Sequence, residues 1–339
     1  MGFEGRSVEG LVMGNFWESK RVYVTGATGL VGTWLVKYLV ESGARVVALI
    51  RDRDPQSELF RSGLEGRIAV VNGALESYYD LERGLVEHEI DTVFHLAAQT
   101  IVGTAYRSPL ATFEANVRGT YNLLEACRVQ SHTVKRVVIA SSDKAYGSAD
   151  KLPYDETMPP AGRFPYDVSK SCADLISQSY FHTYDLPVVV ARCGNIYGGG
   201  DLNWSRIVPG TIRSLHRGEA PIIRSDGTYT RDYVYVEDAV SAYVAMAEAL
   251  HKPGVAGEAF NFGPAQPYRV REIVDALRRL MNREDLEPEV LSVAKAEIRD
   301  QFLDSAKAQR VLAWKPKFTL EQGLAESIEW YRGYFARFE

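Results

Sequence analysis

A group of polar residues with the types and spacing of an acid–base site lies near the middle of the chain. Ser142 ends an apolar run, and Asp143 and Lys144 follow it. Tyr166 and Lys170 are spaced by four, which places both on one face of a helix. A phenol, with a pKa of about 10, is a weak base unless an ammonium favours the phenolate. The pattern predicts that Tyr166 removes a hydroxyl proton while Ser142 hydrogen-bonds the same oxygen. A surface helix pair is the alternative for tyrosine and lysine alone.

A glycine-rich segment near the start of the chain indicates a second kind of chemistry. Gly26, Gly29 and Gly32 follow the apolar run 22–25 and precede a helical pattern over 33–42, after which another apolar run begins. Free backbone N–H groups at the start of such a helix bind phosphate. The spacing predicts a βαβ unit that holds the pyrophosphate of a dinucleotide. A tight turn that merely tolerates glycine would give the same letters.

Apolar runs alternate with helical patterns along most of the chain, which predicts a Rossmann fold, a doubly wound parallel α/β sheet. A smaller C-terminal α/β lobe is expected to bind substrate over the C-terminal edge of the sheet. The predicted strands cover 22–25, 46–50, 68–71, 91–98, 134–140, 188–192 and 259–263. The predicted helices cover 33–42, 81–89, 109–130, 165–184, 207–216, 238–250, 270–281 and 320–331.

The predicted domains follow from this division. Residues 15–196 and 236–263 form the dinucleotide-binding domain, and residues 197–235 and 264–339 form the substrate lobe. Residues 1–14 are glycine-rich and unpatterned, which predicts a flexible arm.

Composition excludes several classes of function. A net charge of −5 over 339 residues provides no basic field for nucleic acid or anionic lipid. No apolar run reaches the roughly 18 residues of a membrane span, and the N-terminus lacks the pattern of a signal peptide. Three widely spaced cysteines predict reduced thiols, and the six histidines lack metal-ligand spacing. The chain is therefore expected to be cytoplasmic, without a metal.

Several motifs together resemble the extended short-chain dehydrogenase/reductase family, in particular its NAD(P)-dependent nucleotide-sugar epimerases and dehydratases. The match runs from about residue 15 to residue 331 and is most similar to the CDP-glucose 4,6-dehydratases. The matching segments are Asn15-Phe16-Trp17, Phe94-His95-Leu96-Ala97-Ala98-Gln99, Asn116-Val117-Arg118-Gly119-Thr120, Ser142-Asp143-Lys144, Gly199-Gly200-Asp201, Arg206-Ile207-Val208-Pro209 and Leu303-Asp304.

The resemblance implies an enzyme with a specific set of site residues. The implied catalytic residues are Ser142, Asp143, Lys144, Tyr166 and Lys170. The implied cofactor-binding residues are Gly26, Thr28, Gly29, Leu30, Val31, Gly32, Arg51, Asp52, Ala74, Leu75, Leu96, Ala97, Ala98, Gln99, Asn116, Tyr166 and Lys170. The implied contacts with a nucleoside-diphosphate sugar are Gln99, Ser142, Asn195, Arg206, Val208, Arg231 and Arg299, with Asn195 and Arg231 at the diphosphate.

The pair Asp143-Lys144 favours a 4,6-dehydratase over a 4-epimerase. A dehydratase must remove a C5 proton and expel the C6 hydroxyl, which takes an additional acid and an additional base. Asp143 could protonate the leaving hydroxyl, and Lys144 could polarise the substrate or act as the base. The alternatives are a 4-epimerase, in which both residues form a local ion pair, and a catalytically silent NAD(P)-binding protein. Retention of Ser142, Tyr166 and Lys170 together argues against the silent protein.

Three features leave details open. The segment 230–236 resembles epimerases and decarboxylases more than CDP-glucose enzymes, so the nucleotide base is undetermined. Ala74 stands where relatives often have an aspartate near the adenine. Arg51 and Arg53 could hold the 2′-phosphate of NADP, whereas Asp52 would repel it, and on balance NAD is favoured over NADP.

The resemblance also implies a homodimer. The helices 109–130 and 165–184 are expected to pair across a two-fold axis as a four-helix bundle. Tyr180, Phe181 and Tyr184 on the second of these helices motivate this prediction.

Overall fold

Short runs of β-branched residues form a central parallel sheet. In the computed structural model, which describes residues 15–264, 266–293 and 298–338, the strands are β1 Arg21–Thr25, β2 Arg45–Ile50, β3 Ala69–Asn72, β4 Thr92–His95, β5 Arg136–Ala140, β6 Val188–Cys193, β7 Asn195–Tyr197, β8 Ile222–Ile223, β9 Thr230–Arg231, β10 Tyr233–Tyr235, β11 Ala259–Phe262, β12 Tyr268–Arg269, β13 Glu289–Val290 and β14 Asp300–Gln301. Seven of them pair in the order β11-β6-β5-β4-β1-β2-β3, all parallel. The predicted doubly wound sheet is confirmed, whereas the predicted arm 1–14 lies outside the described residues.

The direction of winding reverses between β1 and β4. From β1 the chain moves outward through β2 and β3, then returns to β4 and moves outward on the other side. Ligands bind at such a switch point, beyond the carboxyl ends of the strands. Both chemical groups singled out in the sequence lie at this edge, because the glycine loop follows β1 and Ser142 follows β5.

Helices cover both faces of the sheet. The helices are α1 Leu30–Glu41, α2 Glu58–Arg61, α3 Tyr78–Glu87, α4 Val102–Arg107, α5 Pro109–Phe113, α6 Gly119–Val129, α7 Pro165–Tyr184, α8 Ile207–Arg217, α9 Val236–Ala249, α10 Val270–Leu280, α11 Ala306–Leu312 and α12 Leu320–Phe338. The predicted helix 109–130 consists of α5 and α6 joined by a π-helical turn over Glu114–Arg118. The predicted strand 91–98 was too long, because the segment after His95 leaves the sheet as an irregular turn.

Two apolar layers hold the helices against the sheet. On one face, Trp17, Leu35 and Leu39 pack with Phe94 and with the small residues of α9. On the other face, Leu81 and Leu85 of α3 pack with Leu123 and Leu124 of α6 and with the buried strand residues that point to this side of the sheet. Successive strand residues point to opposite faces, so both layers draw on the same strands. This packing fixes the strand ends that carry the site.

A third apolar cluster lies beyond the C-terminal edge of the sheet. It joins α8, α10 and α12 and is rich in aromatic residues, among them Tyr197, Tyr235, Tyr331 and Phe335. Small sheets pair β10 with β7, β9 with β12 and β14, and β8 with β13. None of the helices in the described ranges has the length and apolar character needed to cross a bilayer.

Candidate active site

A cavity of about 1800 Å³ opens along the C-terminal edge of the sheet, between the strand ends and the third apolar cluster. Its wall is formed by residues at or just beyond the ends of β1 to β6 and by the segment that leads into α8. This volume exceeds the roughly 300–1,000 Å³ of ordinary small-ligand pockets, as a site for a dinucleotide and a second ligand requires.

The glycine loop is built for close backbone contacts on one side and an open approach on the other. Gly26 has φ +77°, and a Cβ there would lie 2.6 Å from the backbone nitrogen of Ala97. A Cβ on Gly32 would lie 1.9 Å from Gly26 O, whereas one on Gly29 would meet only Gly26 O at 3.4 Å. Gly26 and Gly32 therefore close the turn, and Gly29 leaves room for a ligand.

The start of α1 fits a bound pyrophosphate. The helix begins at Leu30 with Gly29 as N-cap, and it has neither a side-chain cap nor an acidic residue in its first turn. The first N–H groups of a helix lack internal partners and carry partial positive charge. The predicted residues Gly26, Thr28, Gly29, Leu30, Val31 and Gly32 all line the cavity. The residues present thus fit a dinucleotide.

The charged residues that follow β2, which bear on the choice between NAD and NADP, differ in whether they line the cavity. Arg51 and Asp52 both line the cavity, and Arg51 Nε donates to Asp52 Oδ2 at 2.6 Å. Arg53 is instead held by Glu65 through two hydrogen bonds of 2.6 and 2.8 Å, with its guanidinium 4.5 Å from the Phe60 ring centre. Arg53 does not contribute to the cavity wall.

Two predicted cofactor contacts, Ala74 and Asn116, lie outside the cavity wall, and both have structural tasks. The Ala74 N–H donates to Asp80 Oδ2 at 3.2 Å, while the neighbouring Leu75 does line the cavity. Asn116 is buried: its amide donates to Gln99 O and Ser169 Oγ, and its oxygen accepts the Gln99 N–H. Leu96, Ala97, Ala98 and Gln99 all line the cavity as predicted, so Asn116 supports that turn from behind.

Tyr166 and Lys170 lie together in the first turns of α7. Both line the cavity and both are buried. Burial raises the pKa of Tyr166 to about 12, against the lowering effects of Arg206 and of a hydrogen bond with Ser142. Burial lowers the pKa of Lys170 to about 8, and its Nζ donates to Ala140 O at 2.8 Å. The lysine is thereby tied to the end of β5, immediately before the serines.

Ser142 begins a 3₁₀ turn over Asp143–Tyr146. Its Oγ accepts the Lys144 N–H at 3.2 Å and donates to Asp143 Oδ1 at 2.9 Å. Ser142 and Lys144 line the cavity, and Lys144 Nζ donates to Gln301 Oε1 at 2.7 Å. Asp143 lies behind the wall with Oδ2 unpaired, and burial raises the pKa of its carboxyl group.

The substrate side of the cavity contains most of the predicted contacts. Gln99, Asn195, Arg206, Val208 and Arg231 line it. Arg206 is oriented by Asp201 Oδ2 at 2.9 Å and by Thr100 Oγ1 at 3.2 Å.

The two remaining predicted arginines differ in their placement. The Arg231 guanidinium is fixed by backbone carbonyl groups of Thr230, Arg299 and Ile298. The Arg299 side chain is 71% exposed, lies 4.0 Å from Asp300 and does not line the cavity, so it contributes its carbonyl group rather than its charge.

Asp167 and Arg224 are among the cavity residues that the sequence analysis missed. Asp167 follows Tyr166 and is 3% exposed. Arg224, next to β8, also lines the cavity. Asp167 could have been found as an acid inside the Tyr166–Lys170 segment, whereas nothing in the local sequence distinguishes Arg224 from other surface arginines.

A chain of hydrogen bonds through Thr120, His95 and Thr25 leads to the cavity wall at Ala97. Thr120 Oγ1 donates to Asn116 O at 2.6 Å, so it accepts the Nε2 proton of His95 at 3.1 Å. Thr25 Oγ1 then donates to His95 Nδ1 at 2.8 Å and accepts the Ala97 N–H at 3.3 Å. Burial, together with the charge of Lys170, lowers the pKa of His95 to about 3. The neutral imidazole thus joins the ends of β1 and β4 to the π-helical turn.

Comparison with known proteins identifies the family to which the chain belongs. Residues 23–327 match the GDP-mannose 4,6 dehydratase family. The chain belongs to this family. A CDP-glucose 4,6-dehydratase of Salmonella typhimurium is 31% identical, with 94% of this chain and 92% of the relative covered.

Two solved structures are similar over nearly their full length. A dTDP-glucose 4,6-dehydratase from Streptomyces venezuelae with NAD bound has a TM-score of 0.85 at 27% identity, covering 94% of this chain and 99% of that one. A UDP-glucose 4-epimerase from Thermotoga maritima with UDP-glucose has a TM-score of 0.84 at 30% identity, covering 93% and 99%. The predicted family, an enzyme of the nucleotide-sugar dehydratase and epimerase class, is confirmed, and the NAD in the first structure supports the predicted NAD(P) cofactor.

Proposed function

We propose that this family member is a nucleotide-sugar 4,6-dehydratase that converts a nucleoside-diphosphate hexose to its 4-keto-6-deoxy form. The observation that carries the proposal is the composition of one stretch of cavity wall. Ser142, Tyr166 and Lys170 suffice to oxidise a hydroxyl group. Lys144 on the same wall, and Asp143 directly behind Ser142, are groups that oxidation alone does not need. An elimination does need an additional acid and an additional base.

The side chains divide the work as follows. Tyr166 takes the proton of the C4 hydroxyl, and Ser142 holds that oxygen by a hydrogen bond. The Lys170 ammonium favours the phenolate, although burial pulls the pKa values of both residues the other way. Bound NAD would supply the hydride acceptor for oxidation at C4 and the hydride donor for reduction at C6. The C4 ketone acidifies the C5–H bond, and Asp143, with its raised pKa, protonates the departing C6 hydroxyl.

NAD is the proposed cofactor rather than NADP. Asp52 faces the cavity, and its carboxylate can accept hydrogen bonds from ribose hydroxyls but repels a phosphate. The nearby Arg53, which could neutralise a phosphate, is engaged by Glu65.

The substrate lobe, proposed as residues 197–235 and 264–339, supplies cations for the diphosphate. Arg206 and Arg231 line this side of the cavity with Asn195. We also propose a cytoplasmic homodimer. The three cysteines are free, and Cys127 and Cys193 are buried, which suits a reducing compartment.

The proposal is tested by following one atom. The protein is incubated with CDP-glucose, dTDP-glucose, UDP-glucose and GDP-mannose, each carrying deuterium at C4. A dehydratase gives a 4-keto-6-deoxy product with the deuterium at C6. If none of the four sugars gave a product that carries deuterium at C6, the proposal would be contradicted.

A 4-epimerase is the second candidate. It is favoured by the segment Thr230–Val236, by the similarity to the UDP-glucose 4-epimerase structure, and by the fact that epimerisation needs only Ser142, Tyr166 and Lys170. In the same experiment an epimerase would retain deuterium at C4 and give the C4 epimer. The Asp143→Asn variant would then react at the parent rate.

A further inference from the structure

Asp167 is an acid on the cavity wall for which the oxidation step has no use. It follows Tyr166 in the first turn of α7, is buried, and lines the same cavity as Ser142 and Lys144. A buried carboxylate is costly unless it is paired or hydrogen-bonded. The Asp167 carboxylate accepts a hydrogen bond from the backbone N–H of Phe164, the N-cap residue of α7.

The 3₁₀ turn that carries Lys144 packs directly against this end of α7. Ser171 Oγ donates to Ala145 O at 2.9 Å and accepts the Gly162 N–H at 3.1 Å. Lys144 and Asp167 therefore face the cavity from two elements that are tied together. Asp143 is 2% exposed and lies directly behind Ser142, whose hydroxyl it accepts and which connects it to the cavity.

The surrounding charges suit a carboxylate that is ionised at neutral pH and still basic. Burial raises the pKa of Asp167 to about 6, the charge of Lys144 lowers it, and the charge of Asp143 raises it. Tyr166 and Tyr154 are the other titratable groups that interact with this carboxylate. A general base works best when its pKa is near the operating pH.

We propose that Asp167 is a catalytic residue of the elimination, as the base that removes the C5 proton, with Lys144 as the cation beside it. This inference rests on the proposed dehydratase function. It assigns to Asp167 the base role that the sequence analysis considered for Lys144, whose charge acts on the Asp167 carboxyl group.

The proposed step is balanced within these residues. The C5–H bond of the 4-ketone breaks, and its proton passes to a carboxylate oxygen of Asp167. The electron pair forms the C5=C6 double bond as the C6–O bond breaks. Asp143 gives its proton to the departing oxygen, which leaves as water. Asp167 ends protonated and Asp143 ionised, and the Lys144 ammonium stabilises the negative charge that develops on the C4 oxygen.

The test uses Asp167→Asn, which removes the base while its amide oxygen can still accept the Phe164 N–H. With CDP-glucose and dTDP-glucose, reduced nicotinamide is expected to accumulate, since oxidation precedes the blocked step. Formation of the 4-keto-6-deoxy sugar should fall by about 10²–10⁴-fold. Incorporation of solvent deuterium at C5 should fall with it, and Asp167→Glu should restore part of both.

A pH profile separates catalysis from helix capping. The parent should lose elimination activity below about pH 6, the pKa of Asp167, and Asp167→Asn should lack this acid limb. Parent-like product formation in Asp167→Asn, or loss of C5 exchange in Lys144→Gln but not in Asp167→Asn, would overturn the inference. Failure of the dehydratase proposal is recognised separately, because the parent itself would then leave deuterium at C4.

Discussion

In the proposed mechanism Tyr166 carries the first chemical step, so its hydroxyl is the most informative single group to remove. Tyr166→Phe should reduce turnover by about 10²–10⁴-fold, because the variant lacks the phenol that is proposed to take the C4 proton. Reduced nicotinamide should not form, which distinguishes this variant from Asp167→Asn. The measurement is nicotinamide absorbance in a single turnover, with NAD binding followed by calorimetry.

Tyr23→Phe is the matched control. Tyr23 is fully buried, its hydroxyl has no hydrogen-bond partner among the residues that the structure describes, and it does not line the cavity. Its replacement should leave turnover unchanged, because the substitution removes no hydrogen bond. If Tyr166→Phe still oxidised the substrate at a rate near that of Tyr23→Phe, the assignment of the base would be wrong.

At the residue scale, the sequence identified the groups whose chemistry depends on spacing. Tyr166 and Lys170 could be predicted because a spacing of four on a helix fixes their relative position. Asn116 and Arg299 were predicted as ligand contacts and do not line the cavity, because a motif does not show whether a polar side chain faces a ligand or satisfies buried backbone groups. Asn116 binds Gln99 and Ser169, and Arg299 points away from the cavity.

At the element scale, His95 links two strand ends to the π-helical turn and should make the fold sensitive to acid. Its pKa is about 3 in the folded chain and about 6.5 when unfolded, so the unfolded chain binds more protons between these values. The contribution of His95 to the free energy of unfolding is fully present above pH 6.5 and is lost as the pH falls toward 3. Between pH 7 and pH 4.5 the loss should be about 2–3 kcal/mol.

Urea unfolding of His95→Gln measures this contribution. The variant should be less stable than the parent at pH 7 because a hydrogen bond to Thr25 or Thr120 is lost, but its stability should fall less on acidification. His182→Gln, which changes an exposed histidine on α7, should behave like the parent. An equal acid-induced loss in the parent and His95→Gln would show that His95 does not carry the effect.

The strands of the large sheet and the long helices were predictable, because their apolar periodicity extends over many residues. The helix α7 was predicted with its observed bounds, Pro165–Tyr184. The short helix Glu58–Arg61 and the two-residue strand Asp300–Gln301 were not predicted. Segments this short contain less than one full period, so tertiary contacts determine their conformation.

At the scale of the whole molecule, the helices 109–129 and α7 leave an apolar surface uncovered. Of the three residues that motivated the predicted dimer, Tyr180 and Phe181 pack within the protomer, and Tyr180 donates to Glu125 of α6 at 3.2 Å. The third, Tyr184, is 54% exposed. Leu110, Tyr121 and Leu175 are the better evidence, because they are 72%, 42% and 52% exposed on neighbouring helices. Large apolar side chains grouped on one face mark an interaction surface.

If the proposed homodimer forms through this face, one charge on the face should separate the protomers. Leu175→Glu should reduce the mass measured by light scattering at micromolar concentration from twice the chain mass to that of one chain, because a carboxylate facing its symmetry mate would be desolvated without a partner. Ile222→Glu, at a 50% exposed position on β8, should leave the dimer intact. The surface argument fails if the parent is already a monomer, and a parent dimer that survives Leu175→Glu would require a different interface.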